Sequence, residues 1–131
     1  MASVFTRIIK REIPAHIIAE SDECLAFLDI NPLVEGHALV IPKKEVDYLF
    51  DLDDETIAGL NVFAKRVAKA IDAVIECQRV GVSVVGLEVP HAHIHLIPIN
   101  SIDDMNFGRM KLCPSQEELA SVANKIKAAF T

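Results

Sequence analysis

One stretch of this chain constrains its fold more than any other. Ile57, Leu60, Ala64, Val67, Ile71 and Val74 recur every three or four residues, one apolar face over about six helical turns. Asp51, Asp53, Asp54 and Glu55 crowd the start of that stretch, where negative charge favours the helix dipole. A helix this long and this one-sided needs an apolar surface to lie on. The runs around it are too short to be helices of the same kind. His16 to Glu20 and Cys24 to Ile30 flank Ser21-Asp22-Glu23 and read as a hairpin. Asn31-Pro32 breaks the second strand, Glu35-Gly36 turns the chain, and 36–41 (GHALVI) forms a third strand stopped by Pro42. Val80 to Val85 and His91 to Ile97 supply a fourth and a fifth. The pattern predicts an α+β fold: an antiparallel sheet of about five strands with the long helix on one face.

Shorter signals place the ends. Ser3 can cap a short helix through Val4, Phe5, Ile8 and Ile9, with Pro14 beyond it. Ser115 and Glu118 have capping-box spacing and open a helix over about 115–130, with Leu119, Val122, Ile126 and Phe130 inward. Without repeats or a linker, residues 1–131 read as one domain, with a core over 1–100 and an extension over 101–131. The net charge of -6 argues against nucleic acid and anionic membrane as partners. No apolar run approaches the roughly 18 residues of a membrane span. Cys24, Cys77 and Cys113 are scattered and form no C-x-x-C pair. Arg7, Lys10 and Arg11 precede any long apolar region, unlike a secretory signal. A cytoplasmic location is the expectation.

The chemistry concentrates in 91–98, HAHIHLIP, which holds three of the five histidines. On a strand, His91, His93 and His95 would share one face, neighbours about 7 Å apart and the outer pair about 13 Å apart. An H-x-H pair plus His37 could hold a zinc, although that spacing opposes all three triad members on one ion. The histidines could also be plain outward-facing strand residues. A third reading is phosphoryl transfer: one imidazole attacks phosphorus, its other nitrogen held by an acceptor, while its neighbours donate to the phosphate oxygens. There is no P-loop and no G-x-G-x-x-G, so this strand itself would cradle the phosphate.

HAHIHLIP resembles the signature of the histidine-triad family, and 5–21 (FTRIIKREIPAHIIAES), 24–32 (CLAFLDINP) and 36–44 (GHALVIPKK) are similar to segments of its nucleotide-binding, Hint-like branch. The resemblance implies a homodimer acting at the α-phosphate of purine nucleoside monophosphate derivatives, phosphoramidase-like, with no cofactor. It implies His93 as nucleophile, His95 at the phosphate and leaving group, His91 orienting its neighbours, and His37 reaching the same network. It implies Asp29 on the ribose hydroxyls, and Val4, Phe5, Ile8, Phe27, Leu28 and Ile30 around the base. His16 matches no functional position and is expected on a solvated strand. Two other functions fit the same motif: hydrolysis of dinucleoside polyphosphates, or nucleotide-binding regulation with weak catalysis.

The sequence departs from that family at three places. Members often carry an asparagine and then G-Q-S or G-Q-T before the triad, whereas 83–90 reads SVVGLEVP, so Leu87 and Glu88 replace the amide and hydroxyl. Glu88 either turns to solvent or faces the site as a leaving-group acid. The N-terminal cysteines that bind structural zinc in some members are absent, as Phe5-Thr6-Arg7 shows, so no metal is expected. Residues 101–131 match no tail of the family and could cover the site or a dimer.

Overall fold

The computed structural model describes residues 2–131; Met1, the first residue of the expected domain, lies outside them. Helix α1 (Val4–Ile9) precedes strands β1 (Ile17–Glu20), β2 (Cys24–Leu28) and β3 (Ala38–Pro42). The long helix α2 (Asp54–Val74), strands β4 (Arg79–Ser83) and β5 (Ile94–Ile99), and helix α3 (Gln116–Ala129) follow. The strands form one antiparallel sheet in the order β1-β2-β3-β5-β4. This is the expected α+β architecture.

The strand period sorts the core into two layers. Ala26 pairs with Val40, and Val40 with Ile94; these side chains join Leu28, Ala38 and Leu96 beneath α2 and α3. One residue along, Phe27 pairs with Leu39 and Leu39 with His95, on the opposite face. There Leu25, Phe27, Leu39 and Ile41 pack against Phe5 and Ile8 of α1. β2 and β3 are therefore covered on both sides, which is why they read as unbroken apolar runs. α2 buries Leu60, Phe63, Ala64, Val67, Ala70 and Ile71, and its first turn is capped by Asp53 accepting from the Thr56 N–H. Val74, expected inward, is exposed at the last turn of α2, where Ile75 packs against the core instead. α3 starts at the Ser115–Glu118 capping box and lies against α2 and β1.

Strand ends differ from the sequence reading in ways that bear on the site. β5 begins at Ile94 rather than His91. Pro90 precedes His91, whose N–H donates to the Val89 carbonyl at 2.8 Å, while the Ala92 N–H goes to the Val46 carbonyl at 2.7 Å. These backbone groups are committed to loops, so the ladder starts two residues after Ala92. β4 stops at Ser83, and 84–90 leaves the sheet through Gly86 at φ 76°. β3 begins after Gly36 and His37. Gly36 has φ 92°, and a Cβ there would lie 3.1 Å from both the Ile75 and the Pro98 side chains. Glycine thus serves both the turn and the close approach that delivers His37.

Candidate active site

His37, His91, His93 and His95 are all buried, and each makes hydrogen bonds. His93 and His95 are neighbours, with ring centroids 5.0 Å apart. His37 reaches the same cluster: its Nε2 lies 2.9 Å from His95 Nδ1. His91 lies on the same α1-covered side, with Phe5 against both it and His93, but stands outside the His37–His95 pair. Its ring sits between the end of β3 and the start of α1, with Nε2 2.8 Å from the Pro42 carbonyl and Nδ1 2.8 Å from Ser3 Oγ. It orients His93 through its main-chain carbonyl, 2.7 Å from His93 Nδ1.

These contacts fix the tautomers. A carbonyl only accepts, so His93 Nδ1 carries a proton and Nε2 keeps its lone pair. By the same logic His91 donates from Nε2 to Pro42, and its Nδ1 accepts from the Ser3 hydroxyl. The Leu33 N–H donates to His37 Nδ1 at 3.0 Å, which puts the His37 proton on Nε2, aimed at His95 Nδ1. His95 therefore accepts at Nδ1 and carries its own proton on Nε2. Burial disfavours the charged form in each of these three rings. It lowers His37 to about 3 and His95 to about 4, each helped by a neighbouring imidazole, and it lowers His91 as well. His37, His91 and His95 are neutral at pH 7, and Nε2 of His93 stands beside an N–H donor on His95.

Two clefts meet at this pair. The first, about 210 Å³, runs from His93 and His95 to Phe5, Ile8, Phe27, Leu39 and the Ile13–Ala15 stretch. Phe5 stands edge-on to Phe27 (5.4 Å), His93 (5.1 Å) and His91 (5.8 Å). Val4, Leu28 and Ile30 also line it, but not equally: Val4 and Ile30 are largely exposed at the mouth, and Leu28 belongs to the helix-covered core layer. Asp29 sits just past β2 on the rim, its Oδ1 accepting from the Asn31 N–H at 2.9 Å. Burial raises its pKa, the Asn31 bond opposes this, and the Glu88 charge raises it further. The second cleft, about 330 Å³, opens on the other side of the same histidines toward Leu87, Phe107 and Lys111. Asp29 and Glu88 border both clefts. Glu88 is exposed, so the two expected alternatives merge: it meets solvent and also faces the rim of the site.

Several residues of the site were not singled out from the sequence. Ser3 was readable as a helix cap but not as the partner of His91. Glu45 accepts from the Ser3 N–H at 2.7 Å and from the Thr6 hydroxyl, which pulls its pKa down to about 2. Phe107 packs edge-on to His95 at 4.8 Å and to His37 at 6.3 Å. Phe107 and Lys111 lie in a stretch with no helical or strand period, so no sequence pattern pointed to them. His16 plays a structural part, its Nε2 2.8 Å from Gln116 Oε1 at the start of α3.

Asp29, His37 and His95 bring ligand-type atoms within 4.8 Å of one another. The donor set does not suit a metal. His37 could offer its Nε2 lone pair only by moving its proton to Nδ1, where the buried Leu33 N–H already points.

Residues 10–102 match the HIT domain. The chain belongs to the HIT family. It is 44% identical over 99 residues to the adenosine 5'-monophosphoramidase HNT1 of Saccharomyces cerevisiae, covering 74% of this chain and 62% of that protein. It therefore spans less than two thirds of the budding-yeast relative. The adenosine 5'-monophosphoramidase hnt1 of Schizosaccharomyces pombe is 35% identical over 131 residues, covering 98% of each. Among solved structures, a Hit-like protein from Bartonella henselae superposes with a TM-score of 0.84 at 33% identity, over 98% of this chain and 96% of that one. A Zn-bound histidine triad family protein from Mycobacterium smegmatis gives 0.81 at 27% identity, over 98% and 93%. No helix of this HIT protein, among the described residues, is long and apolar enough to cross a membrane.

Proposed function

We propose that this protein hydrolyses purine nucleoside monophosphate derivatives, phosphoramidates foremost, through a nucleotidyl-His93 intermediate. The observation that carries this reading is the bond from His93 Nδ1–H to the His91 carbonyl at 2.7 Å, which leaves the Nε2 lone pair beside both clefts. His93 Nε2 attacks the α-phosphorus, and the bond from phosphorus to the leaving amine breaks. The amine takes the proton of His95 Nε2–H as it departs. One water then attacks phosphorus and returns a proton to His95 Nε2, the bond to His93 breaks, and the nucleoside monophosphate leaves. The apolar cleft under Phe5 and Phe27 takes the base, and Asp29 accepts from the ribose hydroxyls. The names of the two yeast relatives favour a phosphoramidate over a dinucleoside polyphosphate.

The decisive experiment is a rapid-quench measurement with an adenosine phosphoramidate labelled in the nucleotide, stopped in alkali. Label should appear on His93 in the first turnover, and turnover should persist with metals chelated. Preferential cleavage of a dinucleoside triphosphate, or activity restored only by zinc, would replace this reading. A second copy of the chain would pair along β4. That strand is a sheet edge, and Val82, Val84 and Val85 stand exposed on and just beyond it, an arrangement natural proteins usually cover. Sedimentation at micromolar concentration should give about twice the 14.4 kDa chain mass.

A further inference from the structure

We infer that Lys111 is a specificity-determining residue for the leaving group, and that it selects leaving groups carrying an anion, a carboxylate or a phosphate, a few bonds beyond the scissile bond. This rests on the proposed function, because it concerns the far side of the same histidines.

Residues 106–112 form the outer wall of the second cleft, and two anchors hold that wall. Arg109 donates from Nη2 to the Leu33 carbonyl at 2.8 Å and from Nη1 to the Asp103 carboxylate at 3.0 Å and the Asp104 carboxylate at 3.3 Å. On the other side of Lys111, the Leu112 N–H donates to the Pro32 carbonyl at 2.9 Å. Both anchors land on 32–33, the turn whose Leu33 N–H also sets His37. Lys111 is thus carried on a short span pinned at both ends to the turn that organises the site.

The two cations of this wall differ in what they have left to offer. The Arg109 charge is paired with the Asp103 and Asp104 carboxylates. Lys111 donates to the Phe107 carbonyl at 3.0 Å and, among the described residues, has no carboxylate within 4.0 Å. An ammonium has three donors, so two remain for a ligand. Lys111 lines the cleft with His93, His95 and Glu88, and its charge is felt at Asp29 and at His37. The chain is acidic overall, and Asp29 and Glu88 stand at the cleft mouth, so an anionic leaving group would be repelled unless a cation met it. Lys111 is that cation, and it stands on the side where Leu87 and Glu88 have left the loop without an amide or hydroxyl.

The test uses three adenosine 5'-phosphoramidates that share the reacting P–N bond. Their amines are glycine (carboxylate), 2-aminoethyl phosphate (phosphate) and glycinamide (neutral). Each is assayed with wild type, Lys111→Met and Lys111→Arg. Comparing variant with wild type on the same substrate cancels the intrinsic reactivity of each leaving group. Lys111→Met should lower kcat/KM on one or both anionic substrates about tenfold or more beyond its effect on the neutral one, as expected for losing one charge-assisted hydrogen bond. Lys111→Arg should recover most of that difference, and the anion with the larger loss identifies the source. Equal losses on all three substrates would overturn the inference. If wild type cleaves none of them, the proposed function fails, and calorimetric binding of the same compounds decides Lys111 separately. Weaker binding of the anionic pair alone in Lys111→Met supports it, and uniform binding overturns it.

Discussion

His37 Nε2 lies 2.9 Å from His95 Nδ1, and the direction of that bond is set by a third residue, because the Leu33 N–H occupies His37 Nδ1. A main-chain donor in a turn thereby decides which nitrogen of His95 presents a proton to the cleft. Reversing any one bond of this relay would leave two donors or two acceptors facing each other in the interior.

Replacement of His93 by alanine should abolish turnover while sparing affinity. The lone nucleophile disappears, at a cost of several orders of magnitude, whereas binding draws on Phe5, Phe27, Asp29 and other contacts. Single-turnover kinetics and calorimetry with adenosine monophosphate measure the two separately. Turnover within tenfold of wild type would remove His93 from its role.

Stability should fall as pH drops below about 6.5, before the carboxylates titrate. Unfolded histidine takes a proton near 6.5, while His37 stays neutral down to about 3 and His95 to about 4. Across that window the unfolded chain binds more protons, so unfolding becomes easier as pH decreases, and above it these groups contribute nothing. Each histidine adds a slope of up to about 1.4 kcal/mol per pH unit. Urea unfolding at pH 7, 6 and 5 should show this, and His37→Asn should flatten the slope. Unchanged stability from pH 7 to 5 would contradict the buried neutral relay.

Ser3→Ala should weaken both the fold and the base cleft. The substitution removes the α1 cap, worth about 1 kcal/mol, and leaves His91 Nδ1 without its 2.8 Å donor in the interior. A loss of about 1–3 kcal/mol in chemical denaturation is expected, with KM rising more than kcat falls because α1 carries Phe5. Ser3→Thr should recover most of the loss. An alanine variant with wild-type stability and KM would show that α1 is held by other means.

Glu88→Gln should move Asp29 rather than the proton donor. Glu88 raises the pKa of Asp29, so removing its charge should lower the pH at which Asp29 titrates in carbon-detected NMR. The pH below which KM climbs, as the Asp29 carboxylate loses its acceptor capacity, should fall with it. Glu88 is exposed, so the variant should slow basic and good leaving groups alike. A selective slowing on the basic ones would make Glu88 the leaving-group acid.

Much of the site could be read from residues close together in the chain. The alternation in 91–98 was enough to place His93 and His95 on one face, and β2, β3 and the α2 stripe announced themselves through their periods. The same alternation carried the strand back to His91, where Pro90 and the loop bonds of His91 and Ala92 leave no ladder. Glu45, 46 residues before His91, could not be linked to it by any local pattern, nor could Phe107, which reaches His95 from an irregular stretch.

By itself, the order of residues determined the element types, the sheet-and-helix class and the gathering of histidines at the start of β5. Those depend on periods of two and 3.6 and on turn chemistry, all of which are local. Only the tertiary structure decided the tautomers, the division into two clefts and the placing of Lys111 against the histidines. Each of these is a relationship between segments that meet solely because the sheet order β1-β2-β3-β5-β4 sets β3 beside β5 and the turn at 32–33 beneath the wall at 106–112. A hydrogen bond acquires its direction from the partner it meets, and for His37, His93 and His95 that partner is supplied by the fold.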